Sequence, residues 1–266
     1  MVIFFKIIKK ILRLISNYDL VDNKFNFLIN PRFRRKQDFI DAIKQGDDFL
    51  KNFKINTSYQ QDKSILDVGC GDGSIAGAFG RQNHDGIYHG FDIKKEWIVL
   101  LNKLFKNKCN YKFFYFDIFH SYYNKNGLKK PESFDFDLIN KNYDLIIMNS
   151  IITHMTYKTI SNYFRNCKSY LSKNGEIYVT TRLIDENFDH TKAFDKRFNI
   201  KPIEYEGSLT FTPNKPELLL AHKKNQILKI IDESGLRVHK FIDGTWNKGF
   251  QSHKQHQHDV FILQHK

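Results

Sequence analysis

Short apolar runs alternate with stretches of helical periodicity from Ser64 to the end of the chain. The apolar runs predict seven strands, at residues 64–68, 87–92, 112–117, 143–149, 176–182, 237–242 and 259–264. Helical patterns lie between most of them, and strands that alternate with helices favour a mainly parallel sheet with right-handed crossovers. The pattern therefore predicts an α/β fold with a doubly wound sheet over residues 63–266.

Two segments depart from this alternation. Residues 17–62 are polar and lysine-rich, but apolar positions between Phe39 and Phe53 predict one or two helices, which we interpret as an N-terminal cap on the sheet edge. Residues 185–217 contain three prolines and show no clean period of either kind. Long irregular inserts in compact domains often carry function. We therefore predict that residues 185–217 form a lid or an acceptor-binding element.

The first residues, 1–16, predict a basic amphipathic helix. At about 100° per residue, Lys6, Lys9, Lys10 and Arg13 fall on one side, and isoleucine, leucine and phenylalanine occupy the other. Basic and apolar faces of this kind suit the interface of an anionic bilayer. Residues 1–15 thus predict peripheral contact with a membrane surface. The alternative is a helix that packs on the domain or on a second subunit.

Composition indicates the cellular compartment and the possible partners of the protein more than its activity. Three cysteines stand far apart in a chain of 266 residues, which argues against a disulfide framework and a zinc site and favours a reducing cytoplasm. The net charge of +13 suits an anionic partner such as nucleic acid, an acidic membrane or an acidic glycan. Lysine, asparagine and isoleucine are abundant throughout, however, so a general compositional bias explains the charge equally well.

The strongest chemical signal is a glycine turn that follows the first strand. Asp67 ends that strand, and Gly69, Gly71 and Gly73 occupy alternate positions after it. Asp92 ends the next strand, nineteen residues beyond Gly73. An acid about 20 residues past a glycine turn holds ribose hydroxyls in nucleotide-binding α/β folds. The spacing predicts a cofactor that contains adenosine; the alternative is a tight turn that binds nothing.

The order of the glycines separates two kinds of cofactor. A dinucleotide site has the pattern G-x-G-x-x-G, whereas this turn reads D-x-G-x-G-x-G and places Ser74 at the third glycine position. An acid beside the turn disfavours a phosphate and favours a cationic group. At these residues the chain resembles the class I S-adenosylmethionine-dependent methyltransferases. The resemblance implies a Rossmann-like sheet of seven strands, mainly parallel, whose last strand is antiparallel.

The same resemblance assigns the cofactor site. It implies that the turn and Asp67 face the amino acid part of S-adenosyl-L-methionine, that Asp92 accepts hydrogen bonds from both ribose hydroxyls, and that Asp117 takes the adenine amino group. A solvated acid is the alternative for Asp117. The expected cofactor contacts are Asp67, Gly69, Cys70, Gly71, Gly73, Asp92, Ile93, Asp117, Ile118, Asn149 and Ser150.

The candidate catalytic residue is His154, just after the fourth predicted strand. An imidazole near its ordinary pKa can take a proton from an acceptor hydroxyl at neutral pH. A structural histidine that caps the following helix is the alternative. The histidines between His253 and His258 suggest a metal at first sight, but a polar hairpin explains them better. We expect no metal.

A narrower resemblance concerns the acceptor. Ser150-x-x-Thr153-His154, the segment Thr180–Leu183 and the segment Asp243–Trp246 are similar to a bacterial subgroup found among polysaccharide-biosynthesis enzymes. A threonine before Trp246 and a histidine at 258 depart from the subgroup's pattern. The resemblance implies that Arg182 and Trp246 bind the acceptor; for Trp246, a place in the hydrophobic core is the alternative.

Three functions remain open at this stage. The leading hypothesis is O-methylation of a sugar hydroxyl on a surface glycan or its lipid-linked precursor. RNA methylation is the second, and the lack of an Asn-Pro-Pro-Tyr or Asp-Pro-Pro-Tyr motif argues against amino-directed adenine chemistry. The third is a cofactor-binding subunit without catalysis.

Overall fold

The computed structural model describes residues 36–138, 142–189, 201–247 and 258–266, with side chains from residue 41 onward. The predicted amphipathic helix at 1–16, the first part of the predicted cap and the segment 253–257 lie outside the described residues. Within the described ranges, no helix has the length and apolar character needed to cross a bilayer.

Five α-helices and eleven strands make up the described fold. The helices are α1 (Lys36–Asn56), α2 (Ser74–Arg81), α3 (Lys95–Leu104), α4 (Tyr157–Tyr170) and α5 (Lys224–Glu233). The strands are β1 (Ile65–Val68), β2 (Tyr88–Asp92), β3 (Tyr111–Tyr115), β4 (Tyr143–Met148), β5 (Leu171–Thr181), β6 (Leu183–Ile184), β7 (Ile203–Tyr205), β8 (Ser208–Thr210), β9 (Leu220–Lys223), β10 (Leu236–Ile242) and β11 (Asp259–His265). Short 3-10 helices cover Ile152–His154 and Pro216–Leu218.

The main sheet has seven strands in the order β10-β11-β5-β4-β1-β2-β3. Strands β3, β2, β1, β4 and β5 pair in parallel, while β11 runs antiparallel to both β5 and β10. The predicted fold class, including the antiparallel last strand, is confirmed. The strand order reverses on either side of β1, and ligands of open α/β sheets bind at such a reversal.

Both faces of the central strands of the main sheet are buried, which explains why their sequences are mainly apolar. Leu66 and Val68 of β1 pack into a core on one face, and Ile65 packs into a core on the other. Helix α1 covers this second face, where the Phe53 ring is fully buried and lies 5.6 Å from that of Phe79. This packing holds β1 in place, and with it the start of the glycine turn.

The insert contains regular structure that the sequence pattern did not predict. Strands β6, β9, β8 and β7 form a second sheet in that order, with β6 parallel to β9 and the other pairs antiparallel. The prediction of an irregular segment over 185–217 is therefore wrong for residues 203–210. These strands have two to four residues each, which is too short for a hydrophobic period to show.

Candidate functional site

The glycine turn after β1 depends on backbone angles that other residues rarely adopt. Gly69 has φ +73°, and a Cβ built on it would lie 2.4 Å from Cγ2 of Ile151. Gly71 has φ +56°, and its Cβ would lie 3.3 Å from the Trp97 ring. The missing side chains therefore let the turn pass between Ile151 and Trp97 and present its backbone to the space above the sheet.

Asp92 ties the turn to the end of β2. Its Oδ2 accepts a hydrogen bond from the Gly71 N–H at 2.9 Å, and its Oδ1 accepts one from the Lys94 N–H at 2.8 Å. Burial raises the pKa of Asp92, and these two backbone donors act in the opposite direction. Each carboxylate oxygen offers about two acceptor sites, so both oxygens can accept a further hydrogen bond.

A cavity of about 810 Å³ opens above the carboxyl ends of β1, β2 and β4. This volume is within the range of pockets that hold ligands the size of a drug or cofactor. Its lining includes eight of the predicted site residues: Gly69, Gly71, Asp92, Ile93, Ile118, Asn149, Ser150 and His154. The structure thus brings together most of the predicted cofactor contacts and the predicted base in one cavity.

Four predicted cofactor contacts do not line that cavity. Asp67 is buried, and its Oδ2 accepts a 2.6 Å hydrogen bond from the Tyr88 hydroxyl. Cys70 is buried in the core, and a Cβ on Gly73 would lie 2.2 Å from Leu101 of α3. Asp117 accepts hydrogen bonds from Tyr115 and Asn124. In this structure these four residues shape the turn and its surroundings rather than the cavity wall.

The two predicted acceptor residues also lie away from the cavity lining. Trp246 is fully buried, and its Nε1 donates a 2.9 Å hydrogen bond to Oδ2 of Asp259. Arg182 is buried between β5 and β6. The position of Trp246 matches the alternative considered from the sequence, a residue of the hydrophobic core.

Electrostatics around the turn test which cofactor the site can accept. The pKa of Asp67 is raised to about 7, chiefly by burial; repulsion from Asp92 and Asp72 adds to the rise, and the hydrogen bond from Tyr88 opposes it. A turn surrounded by carboxyl groups offers a phosphate no positive partner, and the ionised forms of these groups favour a cation. Together with the acceptor sites left on Asp92, these residues fit S-adenosylmethionine, which carries a ribose, an ammonium and a sulfonium but no phosphate.

His154 is held in one orientation by the 3-10 helix Pro216–Leu218. The residue ends the 3-10 helix Ile152–His154, and its Nδ1 lies 3.1 Å from the backbone oxygen of Glu217. A carbonyl oxygen only accepts hydrogen bonds, so Nδ1 carries the proton and the neutral ring has its lone pair on Nε2. Burial lowers the pKa of His154 to about 4, which keeps the ring neutral at pH 7.

Two residues beside His154 were not predicted from the sequence. His120 follows β3 and donates from Nε2 to the His154 backbone oxygen at 3.1 Å, while its Nδ1 accepts from the N–H of Tyr122 and Tyr123. Glu217 lines the cavity, and its carboxylate accepts a hydrogen bond from the Ser121 hydroxyl. At the end of the third predicted strand only Asp117 was considered as a site residue, although His120 lies three residues further along the same segment.

Comparisons with known proteins agree with this geometry. Residues 66–177 match a family described as a methyltransferase domain. The PH0226 protein from Pyrococcus horikoshii OT3 has a TM-score of 0.55 at 13% identity, over 87% of this chain and 93% of that one. The mitomycin 7-O-methyltransferase MmcR has a TM-score of 0.54 at 10% identity, over 86% of this chain and 55% of that one.

A third structure is CalO1, a methyltransferase in calicheamicin biosynthesis, in its SAH-bound form. It has a TM-score of 0.55 at 12% identity, over 89% of this chain and 57% of that one. The chain therefore spans little more than half the length of MmcR and CalO1, and at such identities the likeness is one of fold. Residues 66–177 therefore carry a methyltransferase domain, and the site built around Asp92 in the same fold fits S-adenosylmethionine as its cofactor.

Proposed function

We propose that the enzyme methylates a hydroxyl group and that His154 is its general base. The observation that carries this proposal is the hydrogen bond from His154 Nδ1 to the Glu217 backbone oxygen, which leaves Nε2 able to accept a proton. His154 lines the same cavity as Asp92, Asn149 and Ser150. The bound cofactor supplies a methyl group activated by positive sulfur, and the chain must align the acceptor and remove its proton.

The low pKa of His154 sets the timing of that proton transfer. A ring with a pKa of about 4 is too weak a base to ionise a free hydroxyl beforehand. The hydroxyl becomes acidic only as its oxygen forms the new bond to carbon, and its proton then passes to Nε2. We therefore expect proton transfer to accompany methyl transfer, as in other general base catalysis.

The proposed acceptor is a sugar hydroxyl of a surface glycan or its lipid-linked precursor. Beside His154 the cavity presents the aromatic rings of Tyr123 and Tyr205 and the carboxylates of Glu206 and Glu217. Sugars offer both apolar C–H faces and hydroxyl donors, so a wall of mixed aromatic and acidic groups suits them. Contact of residues 1–15 with the membrane would keep the enzyme near a lipid-linked acceptor.

The test is turnover by His154→Ala on a panel of soluble glycans, followed as release of S-adenosylhomocysteine. Loss of a general base should lower kcat by about 10²- to 10⁴-fold. Affinity for S-adenosylhomocysteine, measured by calorimetry, should stay near that of the unaltered chain. His239→Ala is the matched control, because His239 is an exposed histidine on β10.

Two outcomes would contradict the proposal. Normal kcat in His154→Ala would remove His154 from the chemistry. Turnover that is found only on amines or on RNA, with no glycan methylated, would reject the acceptor class and leave the methyltransferase activity itself in place.

A further inference from the structure

Three large apolar side chains stand exposed within ten residues at the mouth of the cavity. Leu128 is 86% exposed, Phe119 43% and Tyr122 39%. Four lysines belong to the same region. We call the set the mouth patch, and its members are Phe119, Tyr122, Leu128, Lys125, Lys129, Lys130 and Lys215. Phe119, Leu128, Lys129 and Lys130 also line the cavity.

Backbone hydrogen bonds hold the mouth patch together as one surface. The Phe119 N–H donates to the Lys129 oxygen at 2.8 Å, and the Lys129 N–H donates to the Asp117 oxygen at 2.9 Å. Lys215 reaches this loop from the other side of the cavity, where its Nζ lies 4.7 Å from the centre of the Tyr122 ring. The exposed apolar groups and the lysines therefore share one rim.

The composition of the mouth patch distinguishes between possible occupants. Lysine is depleted in protein–protein interfaces, so an apolar patch surrounded by four lysines is poorly suited to a protein partner. A bilayer with acidic headgroups accepts both features, because leucine and aromatic rings enter its interface and lysines pair with its surface charge. The same loop carries four acidic residues, Asp117, Glu132, Asp135 and Asp137. Of these four, Glu132 lines the cavity, where Lys129 and Lys130 of the loop outnumber it.

We propose that the mouth patch docks on an anionic lipid surface and so opens the cavity toward the bilayer. In that orientation a lipid-linked acceptor reaches His154 without leaving the membrane. This deepens the proposed function and rests on it for the acceptor. The lipid contact is a separate physical claim, because vesicle binding is measured without any turnover.

The experiment is flotation of the full chain with vesicles of phosphatidylcholine that contain roughly one-third phosphatidylglycerol. We expect binding to these vesicles, weaker binding in high salt, and little binding to phosphatidylcholine alone. Leu128→Ser should weaken binding about tenfold, because an exposed leucine no longer enters the interface. Lys125→Gln and Lys130→Gln should each weaken it about fivefold.

Matched controls come from an exposed apolar residue and a lysine elsewhere on the surface. Val99 is 63% exposed on α3, and Lys106 is exposed just after that helix. Val99→Ser and Lys106→Gln should bind vesicles as the unaltered chain does. All variants keep residues 1–15, so any contribution of that segment to binding is the same in each.

Several results would overturn the docking proposal. One is a full chain that fails to float with anionic vesicles, and another is equal loss of binding in the patch variants and the controls. A third is patch variants that lose RNA binding in a gel shift but keep vesicle binding. None of these results touches methylation of a soluble glycan, so the docking proposal and the proposed function fail separately.

Discussion

Asp92 does two things at once at the scale of a single side chain. It accepts the N–H groups of Gly71 and Lys94, and it lines the cavity. It therefore fixes the shape of the glycine turn, and its remaining acceptor sites face the cavity in which we propose that the ribose binds. A neutral replacement of the same shape separates these roles only partly, because an amide has one oxygen where the carboxylate has two.

Asp92→Asn should weaken the binding of S-adenosylhomocysteine by about 10- to 100-fold, which corresponds to one or two lost hydrogen bonds to a charged group. Calorimetry measures this directly. Asp117→Asn is the comparison, because the Asp117 carboxylate bonds to Tyr115 and Asn124 outside the cavity lining. An equal loss in Asp117→Asn would restore the role in adenine binding that the sequence implied.

Trp246→Phe tests a core role against an acceptor-binding role. The substitution removes the Nε1–H that Asp259 accepts at 2.9 Å and leaves a buried carboxylate with one partner fewer. We expect a loss of about 1–3 kcal/mol in the free energy of unfolding, measured by denaturant titration. The KM for the acceptor should not change. A raised KM at full stability would place Trp246 in the acceptor site after all.

Which predicted residues reached the cavity depended on their depth along the strand. Asp67 and Asp92 lie near the ends of neighbouring parallel strands and look equivalent in the sequence, yet Asp67 bonds to Tyr88 in the core and Asp92 lines the cavity. Asp67 pairs with Gly90, two residues before Asp92, so the two carboxylates point to the same face and Asp67 lies deeper in the sheet. The sequence located both strand ends but not the register between the two strands.

At the scale of elements, the second sheet and the segment before β9 hold the 3-10 helix Ile152–His154 in place. His222 of β9 is fully buried; its Nε2 donates to the Ile152 backbone oxygen at 2.8 Å, and its Nδ1 accepts from the Ser208 hydroxyl at 2.8 Å. The His154 ring bonds to Glu217, just before β9. The 3-10 helix that carries His154 is thus attached at two points, to β9 of the second sheet and to the 3-10 helix Pro216–Leu218 that precedes it.

His222→Ala should loosen that attachment. We expect about 2 kcal/mol less stability in denaturant unfolding, because the Ile152 carbonyl and the Ser208 hydroxyl lose a buried partner. We also expect kcat to fall about tenfold with an unchanged affinity for S-adenosylhomocysteine. His222→Gln can restore a donor to Ile152 and should recover part of kcat. Full activity in His222→Ala would show that the attachment does not position His154.

The main sheet was predictable as a set of elements, whereas the second sheet was not. Strands β1 and β4 are largely buried on both faces, and each reads as a mainly apolar run that contains one aspartate. Strand β7 has three residues, none of them buried, and β6 has two. Their pairing depends on contacts between distant segments, which a local period cannot reveal. The attachment of His154 through Glu217 and His222 was hidden for the same reason.

At the scale of the whole molecule, the buried histidines and the buried Asp67 make opposite contributions to the pH dependence of the free energy of unfolding. Burial lowers the pKa of His89, His154 and His222 from 6.5 to about 4. In the unfolded chain these histidines become protonated below about pH 6.5, whereas in the folded chain they stay neutral down to about pH 4. Their contribution to the free energy of unfolding is therefore complete above pH 6.5 and is lost as pH falls toward 4.

Asp67 changes stability with pH in the opposite sense to these histidines. Burial raises its pKa from 3.8 to about 7, so its contribution to stability is complete below pH 3.8 and is lost as pH rises toward 7. Over pH 4.5–6 the folded chain holds a proton on Asp67 that the unfolded chain has released. In the same interval His222 is protonated in the unfolded chain and neutral in the folded chain.

Two substitutions should therefore change the pH dependence of stability in opposite senses. Urea unfolding between pH 4.5 and 6 gives the free energy of unfolding at each pH. His222→Gln should make stability fall less as pH drops, and Asp67→Asn, which keeps an acceptor for the Tyr88 hydroxyl, should make it fall more. One proton corresponds to a slope of at most about 1.4 kcal/mol per pH unit. Slopes that both match the unaltered chain would mean that neither group titrates differently in the folded and unfolded states, and the burial argument for both would be wrong.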